Sequence, residues 1–226
     1  MDESLQIAER MSQSDAFQGL APPLQVAVFL GALALLSSLL VTLTSFTRIV
    51  IVLSFVRRAL STQEIPPTPV IIGMSLFLTM FVMGPTFEAI EQRAVAPYLD
   101  QQITGNEAWQ AGLAELRTFM LRQTRTQDIA VFLDMAGIES VETPEETPLR
   151  VLVPAFVTSE LKTAFVMGFC LYVPFLLIDL VVSVVLMSLG MMMMPPVVVS
   201  TPFKILLFVL VDGWSLIMQG LSLSFG

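Results

Sequence analysis

Five charged side chains interrupt otherwise apolar stretches of this 226-residue sequence: Glu160, Lys162, Asp179, Lys204 and Asp212. A charge in hydrocarbon is costly, so such a group faces protein, water or an opposite charge. Three uses follow: structural ion pairing inside a helix bundle, ion or proton coupling as in a carrier, or the lining of a pore. Lys204, Phe208, Asp212 and Ser215 are spaced four, four and three apart, which places them on one face of a continuous helix. Lys204 and Asp212 would then lie about 12 Å apart along its axis. That is too far for direct pairing, so each needs another helix or subunit. Glu160 and Asp179 sit about 100° apart around a continuous helix and make no obvious carboxylate pair for acid–base work.

The second unusual feature is Gly190, then Met191, Met192, Met193 and Met194, then Pro195-Pro196. Thioethers bind soft Cu(I), but four adjacent side chains point about 100° apart on a helix and do not converge. A methionine-rich hydrophobic loop or helix end is the plain alternative, since methionine fills irregular gaps. A third reading is a deformable constriction: several copies around an axis would form a compliant ring, and apolar constrictions gate pores by dewetting. Gly190 supplies a flexible boundary and the two prolines a stiff one.

Composition narrows the field further. Hydrophobic residues make up 55% and charged residues 13%, against roughly 25% charged in a soluble domain. The sequence has no histidine, which excludes histidine catalysis and His-ligated metals. The formal net charge of -8 is the wrong sign for a nucleic-acid partner. No Ser–His–Asp set, P-loop or dinucleotide fingerprint is present. Neither enzyme activity nor a cofactor or metal is expected. The single cysteine, Cys170, reads as a small buried filler.

The elements that must position these residues are helical. Residues 1–23 form a polar, acidic tail, and four hydrophobic segments follow at 24–43, 70–87, 163–189 and 203–225. About 20 apolar residues cross a bilayer as a helix. Residues 44–61 read as a helical continuation of the first segment, with Thr47, Ser54, Arg58 and Ser61 on one face. Gly84-Pro85 predicts a kink or an end. Between the hydrophobic halves, residues 88–150 carry eleven acids and five bases. Trp109, Leu113, Leu116 and Met120 recur at helical spacing there, and Ile129, Phe132, Leu133 and Ala136 suggest a second short helix. Residues 137–150 read as an acidic loop. Ala27/Gly31 and Ala164/Gly168 are small-residue pairs four apart, suited to close helix packing.

This gives an all-α organisation: a tail (1–23), a first hydrophobic helical hairpin (24–87), an acidic helical extramembrane insertion (88–150) and a second hairpin with the methionine loop (151–226). Arg48, Arg57 and Arg58 are the bases that set topology; they place 44–69, and with it 190–202, on the cytoplasmic side and both termini outside.

Four stretches carry a resemblance: VTLTSFTRIVIVLSFVRR (41–58), VPAFVTSELKTAF (153–165), PFLLIDLVVSVVLMSLGMMMMPP (174–196) and PFKILLFVLVDGW (202–214). Together they resemble the FliP family of export-gate proteins in flagellar type III secretion, over roughly 40–226. Two departures are mild. Arg57-Arg58-Ala59-Leu60-Ser61 stands where members often have Arg-Asn-Ala-Leu-Gly, and Pro66-Pro67-Thr68-Pro69 where they often have Pro-Pro-Asn-Gln.

The resemblance implies a ring of five copies joined by FliR-like and FliQ-like subunits, forming a helical, tapered export gate inside the basal-body ring. Part of the assembly would stand on the periplasmic side of the bacterial inner membrane. The gate protein FlhA and the switch protein FlhB would dock below. Unfolded rod, hook and filament subunits would pass through, with Met191–Met194 as a gasket. By the same resemblance Glu160, Lys162, Asp179, Lys204 and Asp212 become intersubunit contacts holding the ring. The alternatives are a small-solute or ion carrier or channel, which would be expected to show internal repeats, and a purely structural basal-body scaffold, which leaves the methionine run without a role.

Overall fold

A computed structural model describes residues 22–62, 65–138, 141, 143–191 and 193–226; Met192 and the tail before residue 22 lie outside these described residues. The described residues are helical, with no strand among them. The chain divides into two units, one ending at Val41 and the other running from Thr42 to Gly226. The first unit contributes α1, Pro22–Thr42, which opens on the paired prolines and covers the first hydrophobic segment. Proline suits a first turn because its missing N–H would have no helical acceptor there.

In the second unit, α2 is Phe46–Ala59. It does not continue α1, as the sequence pattern suggests: turn residues Leu43–Ser45 separate the two. The amphipathic reading of α2 itself holds. Ile49, Val52, Leu53 and Val56 are buried, while Arg58 is exposed. Next, α3 spans Thr68–Ile90. It runs through Pro85 without ending and passes into a π-helical turn, Glu91–Val95, and the short α4, Ala96–Leu99. Pro97 accounts for the widened turn. It has no N–H to donate, and its ring clashes with the carbonyl four residues back. The π turn instead bonds the Ala96 N–H to the Glu91 carbonyl, one residue further than an α-helix would.

Two helices form the acidic insertion: α5, Gly105–Gln123, and α6, Thr126–Met135. The start of α5 is fixed by a capping box. Glu107 N–H donates to Thr104 Oγ1, and Thr104 N–H donates to Glu107 Oε2 at 2.7 Å. The segment between α6 and the next long helix contains a single 3-10 turn, Pro144–Glu146.

The longest element, α7, runs Leu149–Ser188 without a break, so it starts well before the predicted segment and passes through Pro154 and Pro174. Its 40 residues span about 60 Å at the α-helical rise, roughly twice the hydrocarbon thickness of a bilayer. The last hydrophobic segment is two helices, α8 (Pro196–Leu210) and α9 (Gly213–Leu223), bent by 65°. Asp212 sits at the bend with φ 52°, a left-handed conformation that aspartate tolerates better than most residues. Asp-Gly is a turn signal. The bend removes the continuous face on which the spacing had placed Lys204, Phe208, Asp212 and Ser215.

Two clusters hold the second unit. In one, Ile49, Val52, Val56 and Ile71 pack with Ala164, Phe175 and Phe208. In the other, Leu43 and Met83 meet Phe119 and Met120 of the insertion and Leu152 and Phe156 of α7. Each fully buried side chain of this kind contributes about 1.5–3 kcal/mol. The insertion therefore shares a core with the hydrophobic helices. The main seam joins α2 to α7. Gly168 makes it possible: a Cβ there would lie 2.5 Å from the Phe55 ring. With Ala164 fully buried on the same face, the Ala164/Gly168 pair marks a close helix contact, as its spacing predicts.

Thr68–Leu99 and Leu149–Ser188 are long and apolar enough to cross a membrane, and the bent pair α8–α9 makes a third if counted as one span. Their outer faces stay uncovered in a single chain: Phe77 is 77% exposed and Phe169 62%. Cys170 lies on that outer face of α7, exposed and not buried as its apolar neighbourhood suggests. In a helix this long and apolar, an apolar neighbourhood does not distinguish the packed face from the outer one.

Candidate functional site

Two buried charge clusters and one exposed loop carry the chemistry. The first cluster centres on Arg48 of α2, which is 2% exposed. Its guanidinium meets Glu160 of α7 side-on, with Nε donating to Oε2 at 2.9 Å and Nη2 donating to Oε1. Nη2 also donates to Gln123 Oε1 at 3.0 Å. Nη1 donates to the Ser224 carbonyl at 2.8 Å and to Ser224 Oγ at 3.1 Å. All five N–H groups of the fork thus have acceptors, and the plane lies 3.8 Å from the centroid of the Phe225 ring. Gln123 completes the cluster by donating to the Phe225 carbonyl at 3.1 Å. One side chain thereby ties together α2, α7, the end of α5 and the segment after α9. Such a buried charge survives because it is both paired and fully hydrogen-bonded.

The second cluster lies near the other end of α2. Lys204 of α8, 1% exposed, donates to Asp179 Oδ2 of α7 at 2.6 Å and to Ser61 Oγ at 2.6 Å. Ser200 donates to Asp179 Oδ1 at 2.6 Å. Ser61 takes φ 57°, just past the end of α2, which brings its hydroxyl to the ammonium. This cluster fixes the hairpin between α7 and α8 from inside.

The candidate residues therefore separate. Glu160 pairs with Arg48 and Asp179 with Lys204 inside one chain, so these four charges are already neutralised without a neighbour. Lys162 and Asp212 are exposed and make no ion pair among the described residues. Arg48, counted from the sequence among the topology-setting bases, is a buried partner. Arg57 donates to Thr68 Oγ1 at 3.0 Å, and Arg58 is exposed beside the Phe55 ring, so these two are the bases left near the 60–67 connection. Gln123, Ser224, Phe225 and Ser200 belong to the clusters and carry no sequence signal, because their partners are distant in the chain; Ser61, placed by its spacing on the polar face of 44–61, joins the second cluster.

The loop between α7 and α8 presents the methionines. Gly190 turns the chain with φ 76°, and Pro195 caps the start of α8. Met193 is 98% exposed; Met191 and Met194 are about half exposed. Gly190, Met191, Met193, Met194, Pro195 and Val198 line an open groove of about 670 Å³.

These features define an all-helical protein with helices long and apolar enough to cross a membrane, internally paired charges and a methionine-bearing hairpin tip. The FliP family model matches residues 29–221, and the chain belongs to that family. It is similar to the flagellar biosynthetic protein FliP of Pectobacterium carotovorum, 52% identical over 89% of this chain and 78% of that protein. It is 48% identical to the protein of the same name from Bacillus subtilis, over 95% of this chain and 96% of the relative. The Aquifex aeolicus relative, also named flagellar biosynthetic protein FliP, is 46% identical over 91% of this chain and 87% of its own length.

Proposed function

We propose that this chain is a pore-building subunit of the flagellar type III protein export gate in the bacterial inner membrane. Unfolded rod, hook and filament subunits pass through the gate, and the 191–194 loop seals it as a gasket. Five copies form the ring with FliQ-like and FliR-like subunits, within the basal-body ring and above FlhA and FlhB.

The observation that carries this reading is Met193, a flexible thioether 98% exposed at the tip of a hairpin whose base is locked. An exposed apolar tip is unfavourable in water, and copies meeting around an axis relieve part of that cost while their tips still face the channel. Methionine adapts its shape, so the same tips close on themselves or around a passing chain. Two further points support the reading. The relatives are named flagellar biosynthetic proteins. The length of α7, about 60 Å, suits a bundle that stands partly outside the bilayer.

The test is ion flux across membranes containing the assembled gate. Replacing Met193 and Met194 by Gly raises small-ion leakage while protein export persists. Unchanged leakage, with the complex intact by mass, overturns the gasket role.

A further inference from the structure

We propose that the hairpin tip between α7 and α8 is also an oxidation site, with Met193 the foremost target and Met191 and Met194 next. The chemistry that selects it is oxygen transfer from a peroxide to a thioether. A sulfur lone pair attacks one peroxide oxygen, the O–O bond breaks, and an S=O bond forms. Sulfur loses two electrons, hydrogen peroxide is reduced to water, and the product is methionine sulfoxide.

The site is set apart by exposure and by what surrounds it. Met83 and Met120 are 0% and 1% exposed, so peroxide does not reach them in the folded chain. Met80 and Met187 are exposed on helices long and apolar enough to cross a membrane, Met187 one turn before the tip. Met135, 74% exposed, ends α6 in the acidic insertion. Among the described residues, the hairpin tip brings several accessible thioethers together around an open groove.

The consequence rests on the gasket reading above. A sulfoxide is polar and accepts hydrogen bonds, whereas an apolar constriction excludes ions by staying dry. Oxidising the tip therefore wets the closure without breaking the Lys204–Asp179 pair that holds the hairpin. Reduction of the sulfoxide restores the apolar tip, so peroxide and a sulfoxide reductase together would set the tightness of the seal.

The experiment treats membrane vesicles containing the assembled complex with hydrogen peroxide. Peptide fragmentation then locates sulfoxide, and ion flux is read in parallel. Met193 is expected to be oxidised severalfold faster than Met83 and Met120, with leakage rising in step and falling again after sulfoxide reductase. Met135→Leu should leave that rise unchanged. Met193→Leu, apolar but not oxidisable, should blunt the peroxide-induced rise measured against its own untreated leakage. If Met193 is oxidised no faster than the buried methionines, the site is overturned. If it is oxidised and leakage stays flat, the regulatory consequence is overturned. Should the glycine variant of the tip leak in that same preparation, the gasket reading itself still stands; should it not, that reading falls as well.

Discussion

Arg48 and Glu160 stand 112 residues apart and meet side-on between α2 and α7, with Nε 2.9 Å from Oε2. Gln123 and the Ser224 carbonyl take the remaining donors of the same guanidinium. The acidic insertion, the main helical seam and the end of the chain are therefore joined through one side chain. Breaking one partner of such a buried pair leaves a charge with no compensation, at a cost of about 3–5 kcal/mol. Glu160→Ala should lower the thermal midpoint of the detergent-extracted protein and expose the seam to protease. Arg48→Lys keeps the charge but offers three donors in place of five; the lost hydrogen bonds should cost about 1–3 kcal/mol. Wild-type midpoints in both variants would show that the cluster does not hold the fold.

The Lys204–Asp179 pair, 2.6 Å long, anchors the hairpin that carries the methionines. Lys204→Met should loosen that hairpin, leaving Asp179 and Ser61 without their cation. A double-mutant cycle with Asp179→Asn should return a coupling of about 0.5–3 kcal/mol. Additive losses would mean that the two residues act separately.

Gly168 and Phe55 make a steric prediction. Gly168→Val places a branched side chain against the ring, and overpacking of this kind costs about 1–3 kcal/mol. Phe55→Ala in the same chain should recover part of that loss. The readout is again the thermal midpoint, and a Gly168→Val variant as stable as the parent would contradict the close approach.

The Glu107 carboxyl is held below its ordinary pKa by the hydrogen bond from the Thr104 backbone, then by the Thr104 hydroxyl. A depressed carboxylate pKa adds stability that is fully present above the ordinary carboxylate range. That contribution is lost as pH falls through the depressed value. Amide exchange at the first turn of α5 should therefore speed up on acidification, beyond the intrinsic pH dependence of exchange. Glu107→Gln can still accept from Thr104 but does not titrate, so this extra pH dependence should vanish. If it persists in the variant, another group is responsible.

Much of the architecture is legible in residue order because it rests on local rules. Paired prolines start α1 and α8, helical spacing marks α5 and α6, and the Ala164/Gly168 spacing marks the α2–α7 seam. The misreadings share a cause as well. Gly84-Pro85 reads as a kink or an end, yet α3 runs through Pro85, because packing and the rest of the helix outweigh one missing hydrogen bond. Asp212-Gly213, a turn signal inside an apolar run, breaks a helix that hydropathy would keep continuous.

By itself the sequence determined that the chain is helical, apolar and interrupted by charges that need partners, since periodicity and transfer cost depend on residue type alone. It also placed the four methionines between a glycine and two prolines, a local matter of chain order. Which charge meets which was decided only by the tertiary structure. Arg48 and Glu160, or Asp179 and Lys204, come together because α2 packs against α7 and α8 folds back along α7. Ion pairing depends on distance in space, and helix packing, not spacing along the chain, sets that distance.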